Sequence, residues 1–209
     1  MPPIEEAIAI HRQRVTALRE ELRRVGLEHP QLTLEIGCGH GHYMTAYAAA
    51  HPGEFCIAID IIQERLDKSQ RKSDRARLNN VNWIRAEAQD LLEALPPETR
   101  FTGRILVLFP DPWPKRRHNR RRIVSPKTLN AIARVLTDGA LLRMASDHRD
   151  YIRWMLFHTL ENAAFQWLAR KPADWRQRPV DWAATRYEEK AAEQGIDSIH
   201  LEFKRLPRQ

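Results

Sequence analysis

Cysteine is nearly absent from this chain. Cys38 and Cys56 are the only two in 209 residues, one inside a glycine-rich loop and one inside an apolar run. That placement excludes a disulfide framework and a CxxC metal or redox motif, and it fits a reducing compartment. Long apolar runs are missing too: none approaches the roughly 18 residues of a membrane span, and no charged leader with an apolar stretch and cleavage site opens the chain. The expectation is a soluble, cytoplasmic protein. Internal repeats, low-complexity linkers and shifts of composition are also lacking, so the 209 residues read as one α/β domain rather than two.

Positive charge, by contrast, is abundant and local. The formal net charge is +7, and Lys115, Arg116, Arg117, Arg120, Arg121 and Arg122 carry six positive charges within eight residues. A charge run by itself reads as a solvated face. Its functional reading is a polyanionic partner, because clustered Lys and Arg release counterions from a phosphate backbone. An anionic membrane surface would attract the same cluster. The prolines and the lack of an apolar helical face around it argue against a membrane-lying helix.

Ile4, Ile8, Val15, Leu18, Leu22 and Val25 recur at helical spacing and predict an amphipathic helix ending near Gly26. Four short apolar runs follow, at 32–36, 55–60, 81–85 and 104–109, separated by stretches of helical character, notably 42–50 and 63–78. That alternation predicts a parallel sheet covered on both faces. It continues through a helix near 126–136, a strand at 140–146 and a helix near 150–162. Then come FQWLA at 165–169, a loop rich in Pro and Trp at 171–183, a short helix near 185–194, and IHLEFKR at 199–205.

The first strand runs into Gly37-Cys38-Gly39-His40-Gly41, and a helical segment follows at once. Glycines at such a corner permit positive φ and close approach of a ligand, and the helix start offers unpaired N–H groups. The spacing is GxGxG rather than the GxGxxG of dinucleotide sites. Glu35 lies just before the glycines, where its charge would repel a pyrophosphate and suit a cationic ligand. Asp60 ends the second strand, placed to accept from two ribose hydroxyls, and Glu87 lies just past the third, in reach of an adenine amino group. Taken together, Glu35, Gly37, Gly39, Asp60 and Glu87 describe an S-adenosyl-L-methionine site better than a dinucleotide site. Capping of helices explains Asp60 or Glu87 singly, but not the set. Cys38, His40 and His42 alternate like metal ligands, yet no fourth ligand has suitable spacing, so they read as solvent-facing loop residues and no metal is expected.

LEIGCGHG at 34–41 and FPDPWPKRRHNRRR at 109–122 resemble two motifs of the bacterial tRNA (guanine-N7)-methyltransferases. ASDH at 145–148 and TRYE at 185–188 resemble two further motifs of that family. The resemblance runs from about residue 31 onward, which divides the chain into an N-terminal helical extension over 1–30 and a methyltransferase domain over 31–209. It implies a class I S-adenosylmethionine-dependent methyltransferase fold, Rossmann-like, with a mostly parallel seven-stranded sheet whose last strand is antiparallel. It further implies methyl transfer to guanosine N7 in the variable loop of tRNA by a protein expected to act as a monomer. Asp111 falls on both a cofactor contact and the catalytic aspartate. Lys115 falls on a substrate contact, and Arg117, His118, Asn119, Arg120, Arg121 and Arg122 on an RNA-interacting segment. Asp147, Thr185, Arg186, Tyr187 and Glu188 fall on positions that bind the target nucleoside. Asp60 stands where the family usually has Glu, Glu87 where it has Asp, and Ser146 where it has Thr, while DWAA at 181–184 is inserted before Thr185.

Within that resemblance, Asp111 has a physical role. The flanking Pro110 and Pro112 hold the backbone extended, so the side chain is aimed from the end of the fourth strand into the crevice of an open sheet. Guanine N7 is already an unprotonated acceptor and needs no general base. Asp111 is expected to accept from the N1–H and N2–H edge and to hold N7 in line with the methyl group. Trp113 has two readings, stacking on a base or packing beside the strand end. The rival functions are a related S-adenosylmethionine enzyme acting on another RNA or a small molecule, and a non-catalytic RNA-binding module.

Overall fold

The computed structural model describes residues 3–183 and 185–208. Helix α1 spans Ile4–Val25 and stops at Gly26, whose φ of 75° is left-handed. Glu5 and Glu6 in its first turn and Arg23 and Arg24 in its last complement the helix dipole. Val15, Leu18 and Leu22 are buried in the same apolar cluster as the sheet, so α1 packs on the body of the domain. Ile4 and Ile8 continue the stripe yet stay 80% and 46% exposed, outside the apolar cluster. Periodicity marks a face but not how much of it meets a partner.

Beyond α1 the order is β1 (Leu32–Ile36), α2 (His42–Ala50), β2 (Phe55–Asp60), α3 (Gln63–Arg75), β3 (Val81–Arg85), α4 (Ala88–Ala94) and β4 (Arg104–Leu108). There follow α5 (Pro126–Val135), β5 (Leu141–Ser146), α6 (Arg149–Leu160), β6 (Phe165–Trp167), α7 (Ala173–Arg176), α8 (Arg186–Glu193) and β7 (Ile199–Arg205). The strands form one sheet in the order β3-β2-β1-β4-β5-β7-β6. Strands β1 to β5 pair in parallel, and β7 runs antiparallel to both β5 and β6.

Alternation along the strands sorts the core into two layers. Leu32, Leu34, Ile36, Ile57, Ile59, Ile105 and Val107 face the layer of α1, α4, α5 and α6. Cys56, Ala58, Leu106 and Leu108 face the layer that holds Tyr43, Met44, Tyr47 and Leu66. The chain order reverses between β1 and β4, so the loops after these two strands diverge and leave a crevice above the sheet.

The stretch 171–183 is ordered by charge. Asp181 pairs with Arg143 Nη2 at 2.8 Å and with Arg104 Nη1 at 3.2 Å, and Arg143 Nε donates to Glu202 at 2.7 Å. Trp182 is 3% exposed, with the Arg143 guanidinium 5.3 Å from its ring centre and Tyr43 set edge-on to it. The inserted DWAA thus begins with two anchors to the sheet, which place Thr185 beside the crevice.

Candidate active site

The glycine loop is tied down by the two strands beneath it. Gly37 and Cys38 both donate to the Ile59 carbonyl, at 2.8 and 2.9 Å. Asp60 is 6% exposed, and its carboxylate accepts from the Gly39 N–H and the Ile62 N–H, each at 2.9 Å. Its first duty is therefore to fix the loop, with lone pairs left over for a ligand. Gly41 has a φ of 64°, and a Cβ there would lie 2.5 Å from Ser69 Oγ and 2.6 Å from the Trp83 ring, so no other residue fits. Cys38 is buried, contrary to the solvent-facing expectation, since its N–H turns the loop back over β2. His40 and His42 are exposed beside Lys72.

Glu35 forms the floor of the cleft. It is 3% exposed, and its Oε2 is buried with no hydrogen-bond partner among the described residues. Burial, reinforced by the nearby Asp60 charge, pushes its pKa up to about 8, against a partial offset from the Met44 N–H. Without a ligand the carboxyl is largely neutral at pH 7. A cation brought to this floor would favour the charged form.

The loop after β4 is strained and then clamped. Phe109 and Trp113, neither of them glycine, take φ of 49° and 43° on either side of Pro110-Asp111-Pro112, each at a cost of about 1 kcal/mol or more. Phe109 N–H still bonds the Ala145 carbonyl at 2.9 Å. Arg122 donates from Nε to the Pro112 carbonyl at 2.9 Å and from Nη2 to the Trp113 carbonyl at 3.4 Å. Its guanidinium lies 5.2 Å from the ring centre of Tyr151 and 4.8 Å from that of Trp154, both on α6. Arg122 was expected among the exposed RNA contacts. It is 7% exposed instead, turned inward because two loop carbonyls and two aromatic faces compete for it. Asp111 is left exposed on the cleft wall.

The cleft holds about 890 Å³. Of the expected residues, Glu35, Gly37, Gly39, Asp60, Glu87, Asp111, Arg120, Arg121, Arg122 and Thr185 line it, whereas Lys115, Arg117, His118, Asn119, Asp147 and Glu188 do not. Glu87 is largely exposed and bonded to Arg14 Nη1 of α1 at 2.8 Å. Lys115, Arg117 and Asp147 are exposed, and His118 sets its ring edge-on to Trp113, 5.8 Å between centres. The Arg121 guanidinium covers the Trp113 ring at 4.8 Å, so that indole is packed by Arg121 and His118. Asn119 accepts at its carbonyl from the Arg122 N–H at 3.0 Å, closing the 3-10 turn Arg116–Arg121.

Glu188 works as a cap. Its N–H donates to Thr185 Oγ1 at 3.1 Å, and its Oε2 accepts from the Thr185 N–H at 3.4 Å. Its Oε1 lies 3.3 Å from Nε2 of buried His200 and 3.5 Å from Arg178. The side chains of Arg186 and Tyr187 lie outside the described residues. Ile61 and Ile62, 59% and 38% exposed and lining the cleft, were missed, although an apolar pair directly after Asp60 is a readable signal for a flat ring.

A family described as putative methyltransferase matches residues 29–201. The chain is 44% identical over 178 residues to the tRNA (guanine-N(7)-)-methyltransferase of Rhodospirillum rubrum, covering 85% of this chain and 69% of that one. It is 42% identical over 173 residues to that of Ruegeria pomeroyi, covering 83% and 72%. The chain belongs to the tRNA (guanine-N(7)-)-methyltransferase family. Among solved structures, a 16S rRNA methyltransferase, KamB, aligns with a TM-score of 0.63 at 19% identity, covering 90% of this methyltransferase and 94% of that chain. That likeness bears on the fold alone.

Two outcomes follow for this methyltransferase. Between the usual carboxylate value of 4.5 and about 8, folded Glu35 keeps a proton that the unfolded chain has released. Stability of the unliganded protein should therefore fall as pH rises through that window, and Glu35→Gln should remove this part of the slope. Urea unfolding of both proteins from about pH 5 to about 8 checks it, and parallel slopes would contradict it. Arg122→Ala should lower stability by about 2–4 kcal/mol, because it orphans carbonyls and strips two ring faces. Arg116→Ala, at an exposed neighbour, should change stability by less than about 0.5 kcal/mol, and equal losses in the two variants would count against the clamp.

Proposed function

We propose that this methyltransferase transfers the methyl group of S-adenosylmethionine to N7 of a guanosine in the variable loop of tRNA. The observation that carries the reading is the pairing of two unlike carboxyls in one cleft: Glu35 buried on its floor and Asp111 exposed on its wall. The names of the relatives, tRNA (guanine-N(7)-)-methyltransferases, support the substrate.

The residues present fit the cofactor. The unpartnered Oε2 of Glu35 suits a cationic group, the glycine loop leaves its face open, and Ile61, Ile62, Ala86 and Ala88 supply apolar walls for a flat ring. Asp60 and Glu87 would take ribose and adenine polar groups. When bound, S-adenosylmethionine supplies an electrophilic methyl group on a sulfonium. Everything else is the work of this chain.

Asp111 accepts from guanine N1–H and N2–H and holds the ring so that N7 faces the cofactor side of the cleft. Guanine N7 carries a free lone pair, so no proton has to be removed. Methylation leaves positive charge on the purine, which the Asp111 carboxylate stabilises at short range. Thr185 borders the cleft from the opposite layer, positioned by its cap on Glu188, and Asp147 stands exposed after β5. Lys115, Arg116, Arg117, Arg120 and Arg121, all exposed, hold the phosphate backbone without reading sequence. No helix among the described residues is long and apolar enough to cross a membrane.

Incubation with labelled S-adenosylmethionine and bulk tRNA, followed by digestion to nucleosides, should place the label in 7-methylguanosine. Asp111→Asn should slow single-turnover transfer by about 10²-fold or more while changing tRNA affinity by no more than about threefold. Label in another nucleoside, or full speed in the variant, would refute the assignment.

A further inference from the structure

A second groove, of about 760 Å³, adjoins the cleft. The hydrogen bond from Gln89 Nε2 to Thr128 Oγ1, 2.6 Å long, ties α4 to α5 between the two. Gln89 and Lys127 belong to the walls of both, so the groove lies against the cleft beside Glu87 and Ala88. From there it follows α5 down to Arg134, with α1 as its outer rim.

The rim is cationic. Arg19 and Arg23 line the groove from α1, one turn apart on one face and about 6 Å apart along the axis. Lys127 and Arg134 line it from α5, two turns apart on one face of their helix. Arg134 donates to the Leu92 carbonyl. Arg19, Arg23 and Lys127 have neither hydrogen bond nor ion pair with any described residue, whereas Arg14 on the same helix is engaged by Glu87 and Asp90. Two carboxylates, Glu93, bonded to His11 at 3.1 Å, and Glu98, stand against these four cations. What sets Arg19, Arg23 and Lys127 apart is that they surround a concavity.

We propose that this groove binds the phosphate backbone of the tRNA whose target guanosine occupies the cleft, an inference that rests on the RNA substrate proposed above. Arg19 and Arg23 take separate phosphates, and Lys127 marks the point where the strand turns from groove to cleft. The grip proposed for Arg116 to Arg121 then has a counterpart, and the backbone is held at a second point.

The test is the salt dependence of tRNA binding by the full chain. Arg19→Ala/Arg23→Ala should reduce the log–log salt slope by about 1.4–1.8 and weaken binding several-fold at moderate salt. Each single variant should give about half of that change. Arg19→Lys/Arg23→Lys keeps the charge and should keep the slope, with the thermal midpoint of each variant checking that it is folded. If wild-type protein methylates tRNA while the alanine slope is unchanged, the groove proposal is overturned, the proposed function stands, and the groove is left to an acidic protein segment. If wild-type protein neither binds nor methylates tRNA, the reading beneath both proposals has failed.

Discussion

The grip of Arg122 on the loop after β4 is the interaction on which the rest of the site depends. Two residues with side chains, Phe109 and Trp113, sit at positive φ around Pro110-Asp111-Pro112, a conformation no such segment would hold unaided. Proline supplies no N–H, so the loop's carbonyls need a donor from elsewhere. Arg122 provides it in a planar fork, and the faces of Tyr151 and Trp154 hold that fork in place. Trp154 of α6 also donates from Nε1–H to the Val124 carbonyl, 2.7 Å away, which stitches the segment after the basic turn to the helix after β5. Asp111 and the exposed arginines are therefore mounted on one rigid piece. The side chain that positions the carboxylate and the basic turn proposed to grip the polyanion cannot move independently.

The opposite wall works by electrostatics rather than by strain. Glu35 is held in a place where its charge is disfavoured until a cation arrives, while Asp60 spends two hydrogen bonds on the glycine loop and keeps that loop in register with β2. A ligand with a positive centre gains the attraction of a carboxylate that would otherwise stay protonated. A pyrophosphate would keep Glu35 in its neutral form and gain no such attraction. The buried carboxyl thus favours a ligand with a positive centre, with the glycines providing access.

Much of this was legible in the order of residues. Apolar runs of strand length at 32–36, 55–60 and 81–85 have the bounds of β1, β2 and β3, because buried parallel strands are continuous and their ends coincide with polarity. Gly26 closed α1 as expected. What stayed illegible was the partner of each charge. Arg122 looks like Arg120 and Arg121 in sequence, and only the two aromatic residues of α6, about thirty positions away, draw it inward. Arg143, 3% exposed in the middle of β5, finds Asp181 and Glu202 far along the chain, pairings that no local pattern encodes. The left-handed φ of Phe109 and Trp113 is a tertiary outcome of the same clamp.

The account's central claim is that Asp111 holds guanine by its N1–H and N2–H edge so that N7 alone receives the methyl group. A tRNA carrying 7-deazaguanine at the variable-loop guanosine tests this most directly, since it keeps the gripped edge and lacks the attacking nitrogen. The account predicts that it binds within about threefold of the unmodified tRNA and accepts no methyl group. Methyl transfer to it at the normal rate would contradict the claim, because the target would then be a different atom.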